Sequence, residues 1–265
     1  MKIALCFSGQ PRYLREAYEN IKENLMTNEH EIDVFAHFWW QDEYVGEVIS
    51  RGSSNKYTEN MENYFQEMYH PVKMVCEPYI DVNTPESYKT AKYPAGDIND
   101  AKLAYYNAKS MFYSIQQSLE YAFDSGKEYD LYVRIRSDIT LDSVFRWDTF
   151  TNNKMYVVDG RGAGHDRYLT DVFALGNLNQ MRKYSRLYNY IDKYMSEQPV
   201  HMHLYLIYVL QNEEKGDITT FNLSKPGERP YRGWHLIRPQ NENFFKETQI
   251  NKKEDRPSYL NYIYK

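Results

Sequence analysis

Apolar and polar residues alternate most clearly at residues 129–140, and this pattern predicts a strand with one apolar face. Leu131, Val133 and Ile135 form the apolar face, and the strand then runs into the sequence Arg-Ser-Asp. In an open α/β sheet, ligands bind outside the carboxyl ends of the parallel strands. The pattern therefore places guanidinium groups and a carboxylate where a ligand is expected.

The amino-terminal part of the chain predicts a strand, a turn, a helix and a second strand. Residues 2–7 form a continuous apolar run, typical of a central parallel strand, and the sequence Ser-Gly-Gln-Pro-Arg at 8–12 interrupts it. Apolar residues recur at helical spacing over 14–25, and residues 32–38 predict the next strand. Such a unit has parallel strands joined by a right-handed crossover.

Further elements are predicted along the rest of the chain. Helices are expected at 57–69, 101–123, 179–195 and 203–210, and strands at 72–76, 155–158 and 171–176. Gly126 is placed to end the long helix before the central strand. Residues 77–100 and those after 221 contain several prolines and little periodicity, which predicts surface loops. Together the elements predict an α/β fold with a Rossmann-like, mixed but mainly parallel sheet flanked by helices.

Composition and charge narrow the classes of protein that this chain can represent. The net charge of −5 argues against a broad nucleic-acid-binding surface, although it leaves room for a local basic pocket that binds a small anion. The apolar run at the amino end stops at Ser8, which is too short for a signal peptide or a membrane-spanning helix. Cys6 and Cys76 predict free buried thiols in a reducing compartment, so we expect a cytoplasmic location.

The end of the central strand is the first candidate binding site. Arg134 and Arg136 carry planar guanidinium groups that match phosphate oxygens, and Asp138 offers the hard oxygen ligands that suit Mg²⁺ or Mn²⁺. Together these side chains predict a phosphate-bearing ligand, with or without a metal. The alternative is a salt bridge at the point where the strand leaves the sheet.

The turn after the first strand is the second candidate. Gly9 permits close approach of the backbone to a ligand, and Arg12 can reach a phosphate or a base, with Ser8 and Gln10 in the same turn. Its place at the carboxyl end of a parallel strand favours a binding role. The alternative is an ordinary strand-to-helix turn in which Pro11 begins the helix.

Four segments, taken in order, resemble one enzyme family. They are the turn at 8–12, the helical sequence Asn-Ala-Lys-Ser-Met-Phe-Tyr-Ser-Ile at 107–115, the strand Tyr-Asp-Leu-Tyr-Val-Arg-Ile-Arg-Ser-Asp at 129–138 and the sequence Asp-Val-Phe-Ala-Leu-Gly at 171–176. Over roughly residues 1–210 the chain resembles the GT-A-fold glycosyltransferases of bacterial and large-virus surface-polysaccharide synthesis. The ordered set carries the resemblance, since no single motif is specific.

The resemblance implies a single GT-A domain over residues 1–265, with a nucleotide-sugar-binding half at about 1–140 and an acceptor-binding half at about 141–265. It implies transfer of a sugar from a UDP-type or GDP-type donor to a saccharide, lipid-linked or protein acceptor. We expect inversion at the anomeric carbon, although the sequence does not distinguish inversion from retention. For a viral enzyme the location would be the host cytoplasm.

The family usually holds Mn²⁺ or Mg²⁺ with an Asp-x-Asp motif. Asp138 matches the last acid of that motif and would bind the metal or the donor ribose, whereas Arg136 replaces the first acid. A guanidinium at that position could supply part of the metal's charge. His235 is the candidate for a histidine that completes the metal shell, with a surface histidine as the alternative.

The resemblance also suggests roles for the remaining polar residues. His37 would lie beside the base, and Lys109 and Ser110 would face the donor sugar, although core packing and a solvent-facing lysine are the alternatives. Asp171 is the candidate base that takes the acceptor hydroxyl proton. Asp166, in a glycine-rich turn that could close over substrate, is the second candidate. Either acid could instead cap a turn.

Two functions of other kinds stay open. A catalytically inactive glycan-binding module is favoured by the 27 tyrosines and by the lost first acid. A nucleotidyltransferase would use similar acids at strand ends on a related fold. The sequence contains no Walker loop, Gly-x-Ser-x-Gly elbow or His-Glu-x-x-His helix, which removes several other enzyme classes.

Overall fold

The computed structural model describes residues 1–41, 57–78, 98–150, 153–159, 169–197, 202–215, 217–222, 234–236 and 262–263. The strands are β1 (Lys2–Gly9), β2 (Glu31–Trp39), β3 (Lys73–Glu77), β4 (Leu131–Ile135), β5 (Ile139–Leu141), β6 (Met155–Asp159), β7 (Leu169–Gly176), β8 (Ile218–Asn222), β9 (Trp234–Leu236) and β10 (Tyr262–Ile263). The α-helices are α1 (Leu14–Asn24), α2 (Met61–Tyr69), α3 (Ile98–Phe123), α4 (Leu178–Ser185), α5 (Leu187–Glu197) and α6 (Met202–Tyr208). A 3₁₀ turn at Trp147–Thr149 and a π-helical turn at Val209–Glu213 complete the helical segments described.

Eight of these strands form one mixed sheet in the order β10-β8-β6-β7-β4-β1-β2-β3. The four strands β3, β2, β1 and β4 run parallel, and β6 and β8 are also parallel to each other. Strand β7 runs antiparallel to both of its neighbours, β4 and β6. The predicted α/β class, with a mixed sheet flanked by helices, is confirmed.

Helices cover both faces of the sheet, which explains why the central strands are apolar throughout. Alternate residues of β1 belong to different core layers: Leu5 packs in the layer that contains α1 and α2, and Cys6 packs in the layer that contains α3 to α6. In β4, Val133 belongs to the first layer and Tyr132 to the second. Because successive side chains point to opposite faces, Arg134 lies on the same face as Tyr132 and projects towards the second layer.

The structure corrects several predicted boundaries. The helix predicted at 57–69 begins only at Met61, and the helix predicted at 179–195 is two helices separated at Arg186. The central strand ends at Ile135 and a separate strand, β5, follows it. Gly126 has a φ of +74°, which glycine adopts easily, and it follows the end of α3 as predicted.

The chain after residue 221 was predicted to be irregular, and this was wrong in two places: β9 pairs antiparallel with β5, and β10 pairs antiparallel with β8. Strand β8, for which no element was predicted, extends the main sheet. Strands of two to five residues are too short to show a periodic pattern of their own, so pairing partners rather than local sequence define them. None of the helices in the described part of the chain is both long enough and apolar enough to cross a membrane.

Candidate functional site

A pocket of about 220 Å³ opens at the carboxyl ends of β1 and β4. The chain places β2 and β3 on one side of β1 and then returns to place β4 on the other side, so the strand order reverses between β1 and β4. Such a switch point is the usual position of a ligand in an open α/β sheet. The lining residues come from the end of β1 and the turn after it, from β2, from α3 and from the ends of β4 and β7: Ser8, Gly9, Gln10, Arg12, Trp39, Asn107, Ser110, Met111, Arg134, Arg136 and Asp171.

The turn after β1 is held in place from two sides. Gly9 has a φ of +105°, and its backbone N–H donates a hydrogen bond of 2.7 Å to Ser114 Oγ on α3. On the other side, Ser137 Oγ lies 3.1 Å from the carbonyl oxygen of Gln10 and 3.2 Å from that of Arg12, to which it donates. These hydrogen bonds fix the turn within the protein itself. The space beside Gly9 is open, since a Cβ added there would meet no atom within 4 Å.

Arg134 forms the deep wall of the pocket and is only 1% exposed. Its Nε donates to Ser8 Oγ at 3.1 Å, and its Nη2 lies 3.9 Å from Asp171 Oδ2. Its third arm, Nη1, is buried without a hydrogen-bond partner among the described residues. Burial lowers the pKa of this guanidinium, and the neighbouring Tyr184 and Asp171 only partly oppose that effect.

Arg136 has very different surroundings, although it follows Arg134 by two residues. Its Nε and Nη2 each donate to one oxygen of Asp138, both at 2.7 Å, and its Nη1 lies 3.6 Å from Asp171 Oδ2. Burial alone would lower the pKa of Arg136, but the carboxylates of Asp138 and Asp171 outweigh it and raise that pKa. The Arg136–Asp138 pair is thus the salt bridge that the sequence offered as the alternative to a ligand site.

The described residues do not fit the metal that the family resemblance implies. Both oxygens of Asp138 accept hydrogen bonds from Arg136, and Asp138 does not line the pocket. Asp171 faces two guanidinium groups, and the described ranges contain no group of three or more His, Cys, Asp or Glu side chains arranged to hold a metal ion. His235 pairs through its backbone with Thr140 in the β5–β9 ladder, and its side chain lies outside what the structure describes.

Two predicted donor-binding residues lie away from the pocket. His37 is completely buried, with Nδ1 2.9 Å from Ser114 Oγ and Nε2 2.5 Å from Glu77 Oε1. Burial lowers the pKa of this imidazole, and the carboxylate of Glu77 opposes that shift. Lys109 donates to both oxygens of Asp192 at 2.9 Å and so joins α3 to α5.

Of the two predicted catalytic acids, Asp171 and Asp166, the structure describes only Asp171. Asp171 lies in β7, two residues before Phe173, which pairs with Ile135 of β4, and its side chain lines the pocket. The guanidinium groups of Arg134 and Arg136 stabilise its negative charge. Asp166 lies outside the described residues.

Sequence reasoning missed four residues of the site or its support. Asn107 and Met111 line the pocket beside Ser110, while Ser114 and Ser137 hold the turn after β1. Three of these residues lie on α3, and helical spacing would have found them: positions 107 and 114 are three before and four after the predicted Ser110, and position 111 is four after 107. Ser137 carried no such signal, because its role depends on the return of the chain towards β1.

Compared with known proteins, the chain matches no protein-family model and no curated protein. The case for a function therefore rests on the pocket and on the order of the sequence motifs.

Proposed function

We propose that the protein is a GT-A-type glycosyltransferase that moves a sugar from a nucleoside diphosphate donor to a glycan, lipid or protein acceptor. The observation that carries the proposal is the charge of the pocket at the switch point. Its lining includes three guanidinium groups, those of Arg12, Arg134 and Arg136, and one carboxylate, that of Asp171. An excess of planar cations around a small pocket suits the phosphates of a nucleotide sugar.

The arrangement of the sheet supports the same proposal. The parallel strands β3, β2, β1 and β4 correspond to the nucleotide-binding half that the resemblance implies at residues 1–140. The mixed strands β7, β6, β8 and β10 correspond to the acceptor half. Asp171 belongs to β7 and faces the pocket, so it would meet an acceptor that approaches from the second half.

In the proposed reaction an acceptor hydroxyl oxygen attacks the anomeric carbon of the donor sugar. The bond between that carbon and the diphosphate oxygen breaks, and the electron pair leaves with the nucleoside diphosphate. The hydroxyl proton passes to Asp171, which holds the only carboxylate among the described residues that line the pocket. The arginines stabilise the negative charge that develops on the departing diphosphate. Electrostatic stabilisation of this kind by preorganised groups is usually the largest single contribution to catalysis.

Titration calorimetry with UDP and GDP, each with and without Mn²⁺, tests the binding step. Incubation with a panel of UDP-sugars and GDP-sugars then tests for transfer or slow donor hydrolysis. We expect one nucleoside diphosphate to bind and its sugar derivative to be hydrolysed. Binding of free glycans without any nucleotide would instead support the inactive binding module, and turnover of a nucleoside triphosphate with a sugar phosphate would support the nucleotidyltransferase.

Asp171→Asn tests the proposed base. Loss of general-base catalysis should lower kcat by roughly 10²–10⁴-fold, while the donor KM changes little because the amide keeps the shape of the side chain. Asp192→Asn is the matched control, because Asp192 pairs with Lys109 outside the pocket. An unchanged kcat in Asp171→Asn would remove this residue from the mechanism.

A further inference from the structure

Two polar groups in the pocket wall have no hydrogen-bond partner among the described residues. They are Arg134 Nη1 and Ser110 Oγ, and both atoms are buried; the lining residues Gln10, Arg12 and Asp171 have further interactions within the protein. Arg134 is 1% exposed and Ser110 is 4% exposed, yet both line the pocket. Because buried polar groups in folded proteins are nearly always paired, two unpaired groups on one small pocket need an explanation.

The serines of α3 show that the state of Ser110 is not a general property of this helix. Ser118 Oγ donates to the carbonyl oxygen of Ile115 at 3.0 Å, and Ser114 Oγ donates to the carbonyl oxygen of His37 at 2.9 Å. A helical serine usually satisfies its hydroxyl in this way, on a nearby backbone carbonyl. Ser110 does not, although its own backbone is fixed by a 2.9 Å bond from Trp39 Nε1 to its carbonyl oxygen.

The arginine is oriented as well as unpaired. Its Nε is bonded to Ser8 and its Nη2 lies close to Asp171, so the guanidinium plane is fixed and Nη1 is the arm left over. A guanidinium with one unused arm and a hydroxyl with an unused proton are both hydrogen-bond donors. The complementary ligand is an oxyanion, and the guanidinium supplies the positive charge that a metal ion would otherwise bring.

We propose that Arg134 Nη1 and Ser110 Oγ form a buried oxyanion subsite that binds a phosphate oxygen without a divalent cation. The assignment of that oxygen to the donor's diphosphate rests on the proposed function. The subsite itself is independent of the later chemistry, because inorganic phosphate and pyrophosphate present the same oxygens.

Calorimetric titration with inorganic phosphate, pyrophosphate and UDP, all in EDTA, tests the subsite. Ser110→Ala should weaken the binding of pyrophosphate and UDP by about tenfold, since it removes one hydrogen bond to a charged group. The same substitution should leave the thermal unfolding temperature of the unliganded protein unchanged or slightly raised, because no internal hydrogen bond is lost. Arg134→Lys, which keeps the charge but loses the fork, should weaken binding by a similar or larger factor.

Ser118→Ala serves as the control. It removes a buried serine hydroxyl of α3 that is already bonded within the helix and that does not line the pocket. It should leave pyrophosphate and UDP affinity within about twofold of the wild type, which is less than the effect of losing one hydrogen bond to a charged group.

The outcomes separate the subsite from the proposed function. If Ser110→Ala binds pyrophosphate and UDP as the wild type does, or if the wild type binds neither of them in EDTA, the subsite is wrong. If binding weakens as expected but no sugar nucleotide is turned over, the subsite stands and the transferase does not. If sugar is transferred with an unchanged donor KM in Ser110→Ala, the transferase stands and the subsite does not.

Discussion

Arg134 and Arg136 lie two residues apart at the end of β4, and both line the same pocket, but their guanidinium groups are used differently. Arg136 makes two parallel hydrogen bonds with Asp138 and is close to Asp171, so its charge is balanced within the protein. Arg134 is more deeply buried, donates to the neutral Ser8, lies 3.9 Å from Asp171, and keeps one arm unpaired. Arg136 therefore forms a salt bridge where the chain leaves β4, whereas Arg134 leaves an unpaired hydrogen-bond donor in the pocket wall.

The difference shows that neither residue type nor distance along a strand separates a structural arginine from a ligand-binding one. A paired guanidinium stabilises the folded protein mainly by balancing the charge of its partner, because a buried carboxylate without a cation lowers the free energy of unfolding. An unpaired guanidinium in a pocket is costly in the empty protein and becomes favourable only when a ligand supplies the missing oxygen. Substitution of Arg136 should therefore lower the stability of the protein far more than substitution of Arg134.

The largest effect is expected for Arg136→Met. This change leaves the carboxylate of Asp138, which is 1% exposed, without its two-point partner. The free energy of unfolding should fall by about 3–5 kcal/mol, as it does when one member of a buried ion pair is removed. Urea unfolding followed by circular dichroism measures the change.

The double variant Arg136→Met/Asp138→Leu is the control for that prediction. Removing both charges should restore most of the lost stability, because the penalty comes from the stranded carboxylate rather than from lost packing. A double variant as unstable as the single one would show that the salt bridge is not what holds this corner.

A smaller loss is expected for Ser114→Ala. Ser114 Oγ accepts from the Gly9 N–H, lies 2.9 Å from His37 Nδ1, and donates to the His37 carbonyl oxygen. The free energy of unfolding should fall by about 1–3 kcal/mol, since buried partners are left unpaired. Diphosphate affinity should fall as well, because the turn after β1 loses its anchor on α3.

Ser118→Ala provides the comparison for this prediction, because the same hydroxyl is removed from the same helix away from the turn. Its loss of one local hydrogen bond should cost about 1 kcal/mol or less and leave diphosphate affinity unchanged. If both serine variants weaken the ligand equally, the effect belongs to α3 as a whole and not to the anchored turn.

The pH dependence of stability should report the buried His37. Burial lowers its pKa in the folded protein, so the unfolded chain binds a proton more readily than the folded one. The contribution of His37 to the free energy of unfolding is fully present above about pH 6.5, which is the ordinary pKa of histidine. It is lost as the pH falls below that value. Glu77 limits the loss of stability because its carboxylate contacts the imidazole ring. The rings of Tyr113 and Tyr121, which are also titratable side chains, pack against the same imidazole.

Unfolding free energies at pH 7.5 and 5.5 measure this loss, with His37→Gln as the reference that lacks the titrating ring. The decrease between the two pH values should be smaller in His37→Gln than in the wild type. An equal decrease in both proteins would assign the pH dependence to other groups.

Much of the fold could be predicted because its central strands are buried on both faces. Continuous apolar runs identified β1 and β2, and the alternation in β4 identified the central position, since tertiary packing and local pattern agree there. The carboxyl-terminal strands could not be predicted in this way. β9 has three residues and exists through its pairing with β5, which no local pattern encodes.

The site was predictable in its position but not in its detailed pairing. The rule that ligands bind at the carboxyl ends of parallel strands predicts Ser8, Gly9 and Arg134 at one site, and in the structure these residues line one pocket. The same rule could not distinguish Asp171, whose carboxylate faces the pocket, from Asp138, whose carboxylate is paired with Arg136. That distinction depends on side-chain orientation after the strand has ended, where the period of two no longer applies.

The smallest change in stability is expected for Arg134→Met, at about 1 kcal/mol or less in either direction. The substitution removes a buried cation that is poorly paired, and methionine can fill much of the same volume. The substitution removes the Nε bond to Ser8 and the 3.9 Å contact with Asp171, but Arg136 Nη1 remains 3.6 Å from the Asp171 carboxylate. Urea unfolding of Arg134→Met beside Arg136→Met measures the contrast directly, since the two variants replace the same residue type two positions apart. A variant at Arg134 that is as unstable as the one at Arg136 would make both arginines structural, and the pocket would then lose its best candidate for binding a phosphate.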